Sequence, residues 1–146
     1  MRNGPLDEGA RWLEQAKADL YWSQHLAEEG GYHIACFLAQ QVAEKALKAF
    51  AYAMGEEIVL GHSVERLGHF AARWDPRFTE LVKRWSILDS FYVAARYPNS
   101  IPDSIPARVY TQDAALQAVG LASEVVAFVE ELMGQIVGKE EEDPEE

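Results

Sequence analysis

The sequence predicts an all-α protein, an antiparallel up-and-down helical bundle of four to five helices. Three observations carry that expectation. Apolar residues recur at helical spacing over several long stretches. No alternating strand pattern of useful length occurs. The six prolines and ten glycines are few and cluster near the ends and in the middle, which leaves long uninterrupted runs for helices. At 146 residues one domain is expected, long enough to bury a substantial core.

The first helix is expected from about Leu6, with Asp7 as N-cap and acids in the first turn. Trp12, Leu13, Ala16, Leu20 and Leu26 mark its apolar side, and Gly30 or Gly31 ends it in a left-handed turn. The second should run from Tyr32 to Met54 on a stripe that includes Ile34, Leu38, Val42, Ala46 and Phe50; it is rich in strong helix formers and Gly55 stops it. The third begins near His62-Ser63, with Ser63 as the better N-cap, and runs to about Arg73 or Trp74, where Asp75-Pro76 breaks it. The fourth covers Pro76 to Ala95 through Phe78, Leu81, Val82, Trp85, Leu88 and Tyr92. Pro98, Pro102 and Pro106 then forbid continuation and predict an extended loop over 97–106. The fifth opens near Thr111 and runs to Val137, with Ala114, Leu116, Val119, Val125, Val129 and Leu132 among its apolar positions. The bundle is therefore expected over 6–138, and the charge block KEEEDPEE, 139–146, as a disordered acidic tail.

Charge narrows the function classes. The formal net charge is −11, and only the stretch 62–108 is mildly basic, with seven Lys and Arg against five acids. A duplex DNA binder needs a cationic footprint that this chain lacks, whereas a nucleotide or short RNA in a local pocket stays open. The single cysteine, Cys36, excludes an internal disulfide and is expected in the core; this fits a reducing, cytoplasmic location. No run of 18 apolar residues exists, so no membrane span is expected, and the charged residues throughout 1–30 argue against a signal peptide. There is no Gly-rich phosphate loop, no GxSxG and no Glu-x-x-His. His62-x-x-Glu65-x-x-x-His69 is a weak metal pattern with no fourth ligand, and neither metal nor cofactor is expected. The four tryptophans read as core or interface anchors.

Two constellations hold chemistry. In helix two, Gln41, Glu44, Lys45 and Lys48 share one face, with Glu44 and Lys48 spaced for an ion pair in the favoured order. Its bland reading is a solvated face. The other is Arg96-Tyr97-Pro98. Arg96 ends helix four, where the helix dipole favours a cation, so a structural cap accounts for it. It also offers a planar fork of donors that suits a phosphate, with Tyr97 beside it to stack on a base and stiff proline backbone following.

Together these residues resemble the HEPN family (higher eukaryotes and prokaryotes nucleotide-binding domain), in its small free-standing prokaryotic form. The matching words are Trp12-Leu13-x-x-Ala16-x-x-Asp19-Leu20, then Ala35-Cys36-Phe37-x-Ala39-Gln40-Gln41-x-Ala43-Glu44-Lys45-Ala46-Leu47-Lys48. Gly61-His62-Ser63-x-x-x-Leu67, Leu88-Asp89-x-x-Tyr92-x-x-x-Arg96-Tyr97-Pro98 and Tyr110-Thr111-x-x-x-Ala114 follow in order, so the likeness spans about 10–135. It implies a helical bundle that forms a homodimer, binds a nucleotide or RNA, and often pairs with a minimal nucleotidyltransferase in a toxin–antitoxin-like system. It assigns nucleotide binding to Arg96, Tyr97 and Pro98, to Gln41, Glu44, Lys45 and Lys48 on helix two, and to His62. Many toxin members are metal-independent endoribonucleases with a His four to six residues beyond the Arg. Here those places hold Ile101, Pro102 and Asp103, so the base is missing and no catalytic residue is assigned. The expected function is a non-catalytic binding module. The alternatives are a ribonuclease with another base, His62 or Tyr110, and a plain protein-interaction bundle.

Overall fold

The computed structural model describes residues 4–142, with side chains through Lys139. The described residues form an all-α bundle without strands. Its helices are α1 (Pro5–Glu29), α2 (Tyr32–Ala53), α3 (Val64–Ala71), α4 (Phe78–Trp85), α5 (Phe91–Ala94), α6 (Pro106–Val109) and α7 (Gln112–Glu142).

α1 starts at Pro5, whose ring presets the helical φ, and Gly4 takes the cap position. Asp7 therefore lies inside the first turn and does not cap, although its charge still suits the helix dipole there. Gly30, at φ 106°, donates its N–H to the Leu26 carbonyl and closes the helix, which sends α2 straight back along α1. The two pack unusually closely. A Cβ placed on Gly9 would lie 2.7 Å from the Ala49 carbonyl oxygen and 2.8 Å from the Ala53 Cβ. Buried Ser23 ties the far end, its hydroxyl donating to the Ala35 carbonyl at 2.9 Å.

α7 lies against both α1 and α2, and these three long helices hold most of the core: Leu13 and Ala16, then Ala39, Val42 and Leu47, then Val119, Ala122, Val125 and Val129. α3 and α4 cover the remaining side of α2. There Phe78 is the hub of an aromatic cluster, 5.2 Å from Phe50, 5.1 Å from Phe128 and 6.2 Å from Trp85 between ring centroids. Trp85 is buried, Trp12 and Trp74 are half-buried, and Trp22 stands 54% exposed on the outside of α1. Ile34 and Leu116, assigned to apolar stripes by spacing, also face outward.

Three expectations change. The fourth helix does not run unbroken from Pro76 to Ala95; it tightens into a 3-10 turn over Ser86–Ser90 before α5. That turn sets Asp89 against the N-terminus of α3, a bond partner outside the window that periodicity reads. The proline stretch is not wholly extended either. Pro98 opens a 3-10 turn and Pro106 opens α6, each at the first helical position that proline tolerates. Finally, α7 continues to Glu142, into the acidic block expected to be disordered. Lys and Glu are good helix formers and extend a helix already anchored by packing. Residues 143–146 lie outside the described part. No described helix is long and apolar enough to cross a membrane.

Candidate functional site

The polar residues of α2 are not a solvated face. Gln40 is fully buried, and Glu44 and Lys48 are nearly so. What covers them is the chain that leads into α3. The Gln40 amide donates to the His62 carbonyl at 2.8 Å and to Asp89 Oδ1 at 3.3 Å. Gln41 donates to Gln40 Oε1 and, at 3.3 Å, to Glu44 Oε2. Glu44 Oε1 meets both Lys48 Nζ at 3.1 Å and His62 Nδ1 at 3.0 Å. Lys48 also lies over the Trp12 ring, 5.8 Å from its centroid. A buried ion pair of this kind adds little net stability, but losing one partner typically costs about 3–5 kcal/mol.

Asp89 closes the other side of the knot. Its Oδ1 accepts from the Val64 N–H at 2.7 Å, and its Oδ2 accepts from the Glu65 N–H at 3.0 Å and the Ser63 hydroxyl at 3.2 Å. The two N–H groups are orphan donors of an α-helix start. Ser63 caps as expected, its Oγ accepting from the Arg66 N–H at 3.0 Å. One carboxylate thus joins α2, the start of α3 and the turn that leads to Tyr92.

Tyr92 links this knot to Arg96. The His62 ring stacks on Tyr92 with centroids 5.3 Å apart and planes 18° apart. The Arg96 Cζ lies 4.8 Å from the same Tyr92 ring, 4.4 Å from Phe37 and 5.1 Å from Tyr97. Aromatic faces therefore cover the guanidinium, a cation–π arrangement that fixes its plane. Only Nε is spent on the protein, donating to the Tyr92 carbonyl at 2.7 Å. The side chain is exposed, and its remaining N–H donors have no partner among the described residues.

The HEPN domain family model matches residues 10–132. The chain belongs to the HEPN family. Among solved structures, the HEPN chain is similar to TT1696 from Thermus thermophilus, with 37% identity and a TM-score of 0.72 over 85% of this chain and 97% of that one. It is also similar to an HEPN domain protein, TM0613, from Thermotoga maritima, at 31% identity and a TM-score of 0.64 over 85% and 98% of the two chains. ST0689, described as an archaeal HEPN homologue, shares 28% identity with a TM-score of 0.71 over 86% and 98%. No curated protein matches.

The HEPN words that the sequence displays fall into two groups in space. Gln41, Glu44, Lys48 and His62 form the buried knot, and Arg96 with Tyr97 joins it through Tyr92. Pro98 opens the turn that follows. Lys45 stands apart: it points to α1 and pairs with Asp19. Gln40, Phe37, Asp89 and Tyr92 were not singled out by residue type, yet they hold the site together. Their only signal in the sequence was membership of the same words.

Proposed function

We propose that the chain binds a nucleotide, or the end of an RNA, without cleaving it, with Arg96 as the phosphate anchor. The observation that carries this reading is the division of labour on one guanidinium. Its faces are occupied by Phe37, Tyr92 and Tyr97, while its in-plane donors, apart from Nε, have no protein partner among the described residues. Phosphate approaches a guanidinium in its plane, so clamping the faces orients the fork without consuming it. Tyr97, half exposed beside it, supplies a ring on which a base can stack. Gln41, Glu44, Lys48 and His62 support this site from below. Calorimetric titration with purine and pyrimidine nucleotides tests it. Arg96→Ala is expected to weaken binding by about 10- to 100-fold, the range of a hydrogen bond to a charged group. Equal heats for both proteins would remove Arg96 from the site.

The same reading includes a homodimer and a minimal nucleotidyltransferase partner of the toxin–antitoxin-like kind. The stretch that carries Arg96 also exposes Val93, Tyr97, Ile105 and Val109, apolar ground of the sort that association covers. Light scattering on a sizing column distinguishes dimer from monomer, and co-purification tests the partner.

A second reading, a metal-independent endoribonuclease, has one observation in its favour. Glu44 holds His62 by Nδ1, an arrangement that orients an imidazole for general-base work, on the ring that also carries Arg96. Incubation with total RNA in EDTA decides it. Cleavage that persists in EDTA and disappears in Arg96→Ala would favour the nuclease over the binding module.

A further inference from the structure

We infer that His62 is the residue that reads the ribose 2′-hydroxyl, so that the site takes ribonucleotides in preference to deoxyribonucleotides; this rests on Arg96 holding the phosphate. Glu44 Oε1 already accepts from the Lys48 ammonium at 3.1 Å, so at 3.0 Å from His62 Nδ1 it accepts again and the ring nitrogen donates. A neutral imidazole that donates from Nδ1 has a lone pair on Nε2. The Nδ1 side faces the buried Glu44, whose side chain is 6% exposed, whereas the His62 side chain as a whole is 63% exposed. Its outer nitrogen is therefore an acceptor offered to solvent.

That acceptor is held rigidly. The His62 carbonyl accepts from buried Gln40 at 2.8 Å, the next residue caps α3, and the ring is stacked on Tyr92. Three independent restraints on one exposed side chain exceed what an N-terminal turn requires. They place an acceptor where Tyr92 also carries Arg96, so the imidazole and the guanidinium sit within a single nucleotide's reach of each other. A nucleotide whose phosphate meets Arg96 has one class of donor to offer between phosphate and base, the sugar hydroxyls. The 2′-hydroxyl is the one that separates RNA from DNA. A preorganised acceptor gains from it without reorganisation, and a 2′-deoxy sugar leaves Nε2 to water.

The test uses uridine 5′-monophosphate, its 2′-deoxy counterpart and its 2′-O-methyl counterpart. Uracil has no exocyclic amine, so a base amino group cannot imitate the sugar donor. The wild-type protein is expected to bind the ribonucleotide about five- to tenfold more tightly than either analogue, the scale of one solvent-exposed hydrogen bond. His62→Phe keeps an aromatic ring on Tyr92 and removes the acceptor; it is expected to bring the ribonucleotide down to the level of the analogues. Equal affinities for all three on wild type overturn the inference, a result that needs no variant to fold. A preference that survives His62→Phe overturns it as well. Arg96→Ala separates the two levels: if it leaves affinity unchanged, the phosphate reading fails, whereas a loss in Arg96→Ala without ribose preference in wild type sinks the His62 assignment alone.

Discussion

Cys36 lies wholly out of solvent on α2, and burial pushes its thiol from an ordinary value of 9.0 up to about 11. Thiolate is the reactive form, so the native protein at pH 8 is expected to be silent toward a thiol-specific disulfide reagent and to react fully once unfolded. The same shift has a sign for stability. The unfolded chain gives up this proton more readily than the folded one. The contribution is thus complete below pH 9 and is lost as pH rises toward 11, which a urea titration across that range measures. Residue types showed part of the site at this scale. Arg96 and Tyr97 were legible because a guanidinium beside a ring and a stiff turn has few other uses. Asp89 was not, because an aspartate on an apolar-periodic segment gives no sign of which distant N–H groups it will meet.

Among the elements, α1 and α2 show two effects in competition at one position. Ala in place of Gly inside a helix normally gains about 1 kcal/mol. At Gly9 the added Cβ would press on the Ala49 carbonyl and the Ala53 side chain, and overpacking of this kind costs about 1–3 kcal/mol. Gly9→Ala is therefore expected to lower unfolding free energy in urea, by about 1–2 kcal/mol. Gly120→Ala and Gly134→Ala on α7, where nothing lies within 4 Å of the new Cβ, are expected to raise it by a few tenths to about 1 kcal/mol. α3 depends on a partner in another element. Asp89→Ala strips acceptors from the Val64 and Glu65 N–H groups, the Ser63 hydroxyl and Gln40 together, and about 2–3 kcal/mol of stability is expected to go with them. Helical periodicity located every long element, since the stripe is intrinsic to the sequence. It missed the 3-10 turn before α5, since that turn answers to α3.

For the whole molecule, a net charge of −11 and one exposed guanidinium at the site describe a small-ligand pocket rather than a polyelectrolyte groove. A labelled duplex at physiological salt is expected to run free in a gel-shift titration, because non-specific affinity comes from many released counterions and this surface repels the phosphates that would release them. One phosphate contact should likewise give nucleotide binding a shallow salt dependence. Retention of the duplex at micromolar protein would show a cationic face that the charge distribution does not contain.

Composition and apolar spacing were sufficient for the all-α class, the three long helices, the buried cysteine and the family, because those properties are repeated many times along the chain and survive local exceptions. Which polar groups belong to the site was settled only in three dimensions. Glu44 and Lys48 carry the same i,i+4 pattern as any surface ion pair. What made them part of a buried knot with His62 and Asp89 is the chain crossing over α2 from elsewhere, and burial by a distant segment leaves no trace in local spacing.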